Sequence, residues 1–206
     1  MIKKHSNAIL IFGTFNPITN AHLNLAVTSR NLIDDSDVIF IPAKDEFLRD
    51  WKGFGRDSIL ENRISLLNKV TSELGFLVCD IEITNVVDGK SINTINYIKE
   101  HYGYKDIYFC MGTDKVYELH KWYKADELVS QNRFLVFTRG EKLSDVMDEF
   151  TNKYADRFRE VPEDEKYFKM SSTNVRNALK SGNLDSIKDM VPALVYEYLK
   201  GENNGI

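Results

Sequence analysis

The sequence predicts a doubly wound α/β fold, a parallel sheet with helices on both faces. Short apolar runs rich in β-branched residues recur along it, first Ala8 to Phe12 (AILIF) and then Val38 to Ile41 (VIFI). Such runs suit strands that are buried on both faces. Between them lie segments with apolar residues at helical spacing. This alternation of strand and helix implies a parallel sheet with right-handed crossovers.

The elements follow in order. Ala21 to Leu32 carries Leu25, Thr28 and Leu32 at helical spacing, which makes the first unit strand, helix, strand. Arg56 to Leu74 shows a helical stripe of Ile59, Leu60, Ile64, Leu67, Val70 and Leu74, and Phe76 to Cys79 follows as a third strand. Ser91 to His101 places Ile92, Ile95 and Ile98 on one helical face. Ile107 to Met111 (IYFCM) and Phe134 to Phe137 (FLVF) then read as a fourth and a fifth strand. After Gly140 the pattern turns helical, over Leu143 to Tyr154, Ser172 to Lys180 and Pro192 to Leu199. Those helices are expected to pack around the sheet, with Gly201 to Ile206 as a frayed tail.

With 206 residues and 43% hydrophobic content, the chain can bury one sizeable core but falls short of two full-sized domains, so residues 1–206 are expected to form a single domain. Four prolines, eleven glycines and no internal repeat leave little room for a disordered or fibrous chain. The N-terminus lacks the features of a secretory signal, and no stretch is apolar enough to span a membrane, so a cytoplasmic location is expected. Cys79 and Cys110 sit in apolar runs without a partner at metal spacing and read as buried reduced thiols. A net charge of -4 argues against a global basic field that coats nucleic acid or anionic membrane. Any anionic substrate must therefore meet local positive groups.

Two segments could supply such groups, and a third could complete a site beside them. Strand one ends in Gly13-Thr14-Phe15-Asn16-Pro17-Ile18-Thr19-Asn20-Ala21-His22, and a helix starts with Thr19 or Asn20 as N-cap. A strand end that leads into a helix N-terminus is where anions bind in such sheets. Gly13 allows close backbone approach, Pro17 stiffens the turn, and His22 in the first helical turn can donate to a phosphate oxygen. Alone, this stretch reads equally as an ordinary turn with a surface histidine. Further along, Met170-Ser171-Ser172-Thr173-Asn174-Val175-Arg176 stands ahead of a helical run, where hydroxyls cap and Arg176 either reaches a ligand or is solvated. Gly112-Thr113-Asp114 closes the fourth strand, and Trp122 follows it as either a half-buried core residue or a stacking platform.

Together these segments resemble the nucleotidyltransferase superfamily whose signature is His, any residue, Gly and His. The chain departs from that signature with Thr19 at the first His position and Ala21 at the Gly position. The form F-N-P-I-T-N followed by one residue and His is similar to eukaryotic-type nicotinamide mononucleotide adenylyltransferases. Residues 170–176 resemble the superfamily's I-S-S-T-x-x-R element, which holds ATP phosphates. Gly112 and Asp114 with Trp122 resemble the Gly-x-Asp and Trp of nicotinate and nicotinamide mononucleotide adenylyltransferases, where the aromatic stacks on the pyridine ring. Lys52 before Gly53, in the loop from Pro42 to Gly55 that also holds Lys44 and Trp51, resembles a Lys-Gly that contacts the mononucleotide. The alternative there is a solvated charged loop. Ser91-Ile92-Asn93-Thr94-Ile95 resembles a bacterial S-Y-T-x-x-T-L segment, so Thr94 either contacts the pyridine substituent or only caps its helix.

The resemblance implies adenylyl transfer from ATP to nicotinate or nicotinamide mononucleotide. Gly13, Thr14, Phe15, Thr19, His22, Ser171, Ser172, Thr173 and Arg176 would bind ATP, with His22 and Arg176 neutralising charge on the transferring phosphate. Lys52, Thr94, Gly112, Asp114 and Trp122 would bind the mononucleotide. Magnesium is expected to arrive with ATP and to need no dedicated protein site. Pantetheine-phosphate adenylyltransferase, cytidylyltransferases for polyol or choline phosphates, and a non-catalytic sensor of ATP or NAD are the alternatives. No nucleic acid or membrane partner is expected, and association into a homo-oligomer is left open. His120, Arg63 and Arg139 show no spacing that demands catalysis, and Arg63 is expected to form a structural ion pair.

Overall fold

The computed structural model describes the backbone of residues 4–44 and 58–203 and the side chains of residues 4–44 and 62–201. Regular structure starts with strand β1 (Asn7–Gly13), helix α1 (Asn20–Leu32) and strand β2 (Ser36–Pro42). Helix α2 (Ser58–Glu73), strand β3 (Leu77–Val78), helix α3 (Ser91–Tyr102) and strand β4 (Ile107–Gly112) continue the alternation. A short helix α4 (Thr113–Val116), a 3-10 turn (Leu119–Lys121) and helix α5 (Ala125–Gln131) lead to strand β5 (Arg133–Thr138). Helices α6 (Leu143–Val146) and α7 (Glu149–Asn152) precede strand β6 (Phe158–Pro162), and helices α8 (Ser172–Lys180) and α9 (Ala193–Asn203) follow it.

The strands form one sheet in the order β3-β2-β1-β4-β5-β6, every pair parallel. Because β1 lies between β2 and β4, the winding reverses at that point, and a crevice opens beyond the carboxyl ends of these strands. Successive strand residues point to opposite faces and enter separate cores. Ala8, Leu10, Ile39, Ile41 and Phe109 pack with Ile92, Ile95 and Ile98 of α3, whereas Ile9, Ile11, Val38 and Phe40 pack with Leu67 and Val70 of α2 and Val195 of α9. Burying both faces explains why these strands read as unbroken apolar runs.

The structure departs from the sequence expectations in four places. The third strand shrinks to Leu77 and Val78, at the sheet edge. The expected helix over Leu143 to Tyr154 breaks into two four-residue helices. A sixth strand, β6, appears where only helices were expected; of its residues only Val161 is fully buried. This other edge strand carries Arg159 and Glu160 exposed, so no apolar run marks it, and Pro162 is tolerated at such an edge. Finally, the expected tail starts later, since α9 carries Gly201 to Asn203 as helix.

Candidate active site

The crevice is built from the end of β1 outward. Phe15 has a left-handed φ of 49° and folds its ring back over Gly13. A Cβ at position 13 would lie 2.8 Å from two ring carbons, so the close approach requires glycine. The buried ring meets Phe40 edge-on with centroids 5.3 Å apart, and His22 edge-on also at 5.3 Å. Phe15 thus anchors the segment to the core and supports the imidazole. Behind it, the fully buried Arg63 of α2 donates to Thr14 O at 2.7 Å and to Ala43 O, tying the loops after β1 and β2 together. Both of these contacts are bonds to backbone carbonyls.

Thr19 is the N-cap of α1 and His22 its third residue. The Thr19 amide donates to His22 Nδ1 at 3.1 Å, which makes Nδ1 the acceptor and leaves the ring hydrogen on Nε2. The single hydrogen of Thr19 Oγ1 lies between two acceptors, the same nitrogen at 2.8 Å and Met170 O at 3.1 Å. Burial, and then the nearby Arg139 guanidinium, lower the His22 pKa to about 4. At neutral pH the imidazole is therefore uncharged, yet it still has a hydrogen to donate.

The C-terminal motif docks directly on this segment. Ser171 caps α8 by accepting from Asn174 N at 3.1 Å, and Ser172 Oγ donates to Pro17 O at 2.8 Å. Arg176 donates to Asn16 O at 2.6 Å and to Thr173 Oγ1 at 3.1 Å. With the Thr19 to Met170 bond, three hydrogen bonds spanning 151 to 160 positions join the two motifs into one wall.

The second wall starts at β4. A Cβ on Gly112 would lie 2.6 Å from Asp114 Oδ1, so glycine lets that exposed carboxylate fold back over the strand end. Thr113 Oγ1 donates to the Glu141 carboxylate. Trp122 is half-buried and packs edge-on against Phe109 at 5.9 Å, while Phe109 stacks on Phe12 at 4.6 Å. Thr94 is fully buried and donates to Glu82 Oε1 at 2.8 Å; the N-cap of α3 is Lys90, so Thr94 does not cap the helix. Burial pushes the Glu82 carboxyl up against the opposing effects of Thr94 and Lys44. Lys52, with Trp51, Gly53 and Gly55, lies outside the described residues.

Sequence reasoning passed over Arg139. It follows β5 directly, its Nε donates to Glu163 Oε2 at 2.6 Å, and its charge reaches His22. A basic residue immediately past an apolar strand was the one signal available. Its carboxylate partner is remote in sequence, so spacing was silent.

Cavities of about 550 and 560 Å³, one lined by Asn20, Asp185 and Tyr196 and one by His120 and Phe150, include neither His22 nor Arg176. Both cysteines are buried and free, and burial pushes the Cys110 thiol up to about 12 despite its contact with Ser29. Among the described residues, no helix is long and apolar enough to cross a membrane, and no group of three or more His, Cys, Asp or Glu is placed to hold a metal.

A parallel sheet in this order, with a neutral histidine at the first helix N-terminus and an arginine-bearing second motif against it, defines a nucleotide-handling α/β protein. More particularly, the chain belongs to the cytidylyltransferase-like family, whose model matches residues 10–178. It is 29% identical over 195 residues to a probable nicotinate-nucleotide adenylyltransferase of Staphylococcus epidermidis, covering 94% of each chain. Its fold resembles the Plasmodium falciparum nicotinic acid mononucleotide adenylyltransferase complexed with APC, at a TM-score of 0.73 and 20% identity over 97% of this chain and 96% of that one. A putative nicotinate-nucleotide adenylyltransferase from Vibrio parahaemolyticus gives a TM-score of 0.62 at 21% identity over 96% and 94% of the two chains.

Proposed function

We propose that the chain, acting as a single cytoplasmic domain, transfers AMP from ATP to nicotinate mononucleotide, releasing pyrophosphate and forming a pyridine adenine dinucleotide. The observation that carries this reading is the joined wall of residues 13–22 and 170–176, in which the neutral His22 accepts the Thr19 amide at Nδ1 and Arg176 is tied to Asn16 O. The relatives' names supply the pyridine substrate, and nicotinate is the form they carry.

In this reaction a phosphate oxygen of the mononucleotide attacks the α-phosphorus of ATP. The new P–O bond forms as the bond to the β-phosphate oxygen breaks, and the electron pair leaves with pyrophosphate. No side chain needs to act as nucleophile. What the protein supplies is alignment of two anions and donors for the charge on the transferring oxygens. His22 donates through Nε2, Arg176 brings a fixed positive charge, and the capped start of α8 adds oriented amides. Gly13, Thr14, Phe15, Thr19, Ser171, Ser172 and Thr173 shape that wall. Magnesium carried on the ATP phosphates would share the neutralisation. Gly112, Asp114 and Trp122 would form the opposite wall, with the indole packed against Phe109 and stacking on the pyridine. Lys52 and Thr94 complete the proposed mononucleotide contacts, Thr94 by exchanging its bond to Glu82.

The test is to incubate the protein with ATP, magnesium and either mononucleotide and to measure pyrophosphate. Release with nicotinate mononucleotide well above that with the amide is expected. Turnover only with phosphopantetheine or with CTP would overturn the pyridine assignment. Tight ATP binding without turnover of any substrate would instead identify a sensor.

A further inference from the structure

Resting on the adenylyltransferase reading, we propose that Lys90 is a specificity-determining residue that makes the pyridine end of the crevice cationic and so selects nicotinate over nicotinamide mononucleotide. Lys90 is the N-cap of α3, and the amide of Thr94 donates to its carbonyl at 3.1 Å, so the two residues stand one helical turn apart. The Lys90 side chain crosses to the segment that holds Trp122: its Nζ lies 4.2 Å from the centre of the ring of Tyr123, the next residue in the chain. The two segments that carry the proposed pyridine contacts Thr94 and Trp122 therefore meet through Lys90 and Tyr123. A second ammonium, Lys124 Nζ, stands 5.8 Å from the centre of the same ring.

Three carboxyl groups face this junction, and each is engaged. Asp88 lies 3.3 Å from Lys90 Nζ, but its oxygens also accept the Lys90 amide at 3.0 Å and the Asn93 side chain at 3.1 Å, bonds that fix the turn into α3. Glu127 of α5 pairs with Lys124 at 3.1 Å and accepts from Asn96 at 3.3 Å, which ties α5 to α3. Glu82 is buried and holds the Thr94 hydroxyl. Its other oxygen and the Lys44 side chain both border the Gly89 turn, where a Cβ would lie 3.9 Å from Glu82 Oε2 and 3.7 Å from Lys44 Cε. The Lys90 side chain remains 48% exposed, so a ligand can reach its ammonium.

The chemistry of the two substrates gives that ammonium something to read. In the proposed reaction the mononucleotide phosphate meets ATP at the His22 wall, which leaves the ring and its substituent for the end built by Thr94 and Trp122. The ring nitrogen bonded to ribose carries a positive charge. In nicotinate mononucleotide the carboxylate cancels it, whereas in the amide the ring stays cationic. A lysine at this end attracts the carboxylate of the first and repels the ring of the second, and both effects favour the acid. Water and salt screen a half-exposed ammonium, so the expected preference is moderate and depends on ionic strength.

The experiment measures pyrophosphate release and calorimetric binding with each mononucleotide for wild type, K90Q, K90E and K90R, with thermal melts to check folding. K90Q should raise the KM for nicotinate mononucleotide by about fivefold and leave the KM for ATP unchanged. K90E should raise it by about tenfold or more and improve binding of the amide, while K90R should keep the wild-type preference. Added sodium chloride should shrink the preference of the wild type and hardly move that of K90Q. An acid-to-amide ratio in K90Q and K90E equal to that of the wild type would overturn the role of Lys90. Equal losses for both mononucleotides would overturn it as well, since they would reflect only lost packing on Tyr123. The variants are expected to fold, because the side chain is half-exposed and does not cap the helix; if K90E melts early, the ratio in K90Q decides. Turnover of nicotinate mononucleotide with unchanged ratios would sink Lys90 alone. A wild type that binds neither mononucleotide and turns over only phosphopantetheine or CTP would sink the pyridine reading and this proposal with it.

Discussion

The backbone amide of Thr19 donates to Nδ1 of His22, and through this one bond the helix cap sets the tautomer of the ring. The threonine hydroxyl meanwhile donates to Met170 O, tying the same cap to the C-terminal motif. Thr19 fills the position where the family signature has a histidine. Its amide does the orienting, and its small side chain adds no second titratable ring beside the joined wall.

Replacing His22 with alanine should lower turnover by about 10²–10³-fold, the cost of removing one donor aimed at developing charge. The fold should persist, because Phe15 still packs on Phe40. Turnover near wild type in a pyrophosphate-release assay would show that the ring is only structural.

The lowered pKa of His22 has a testable sign. An unfolded histidine takes up its proton as pH falls through 6.5, whereas the native ring resists until about 4. Between these values the unfolded state binds more protons, so this group's contribution to stability is lost as pH falls from 6.5 toward 4. Urea unfolding of the wild type and His22→Gln across that window should show the steeper decline in the wild type. An NMR titration of the His22 ring with a midpoint near 6.5 would refute the assignment.

Thr19→Val keeps the shape but deletes the hydroxyl that reaches Met170 O and His22 Nδ1. The buried site should lose about 1–2 kcal/mol of stability, readable as a shift in urea midpoint. Activity should fall further than stability explains, since the C-terminal motif loses one of its three ties to the first. A variant that matches the wild type in both measurements would remove Thr19 from the account.

Trp122 has two roles that separate experimentally. Trp122→Ala should cost about 1–3 kcal/mol, less than a fully buried tryptophan because the ring is half-buried, and should raise the KM for the mononucleotide. Trp122→Phe should recover much of the packing against Phe109 while KM stays elevated. Stability loss with an unchanged KM in both variants would reduce Trp122 to a packing residue.

The sequence by itself determined the architecture of the sheet centre and the location of both motifs that build the candidate site. Strands buried on two faces must be continuously apolar, and caps such as Thr19 and Ser171 signal helix starts through local chemistry. β6 escaped this reading because an edge strand packs only part of its surface, so Arg159 and Glu160 hide it among polar loops. Only the tertiary structure decided that Ser172 and Arg176 bond the backbone of Pro17 and Asn16, that Thr94 spends its hydroxyl on Glu82, and that Glu163 accepts from Arg139. Such pairings depend on where the folded sheet brings distant strand ends together, and sequence spacing carries no record of that distance.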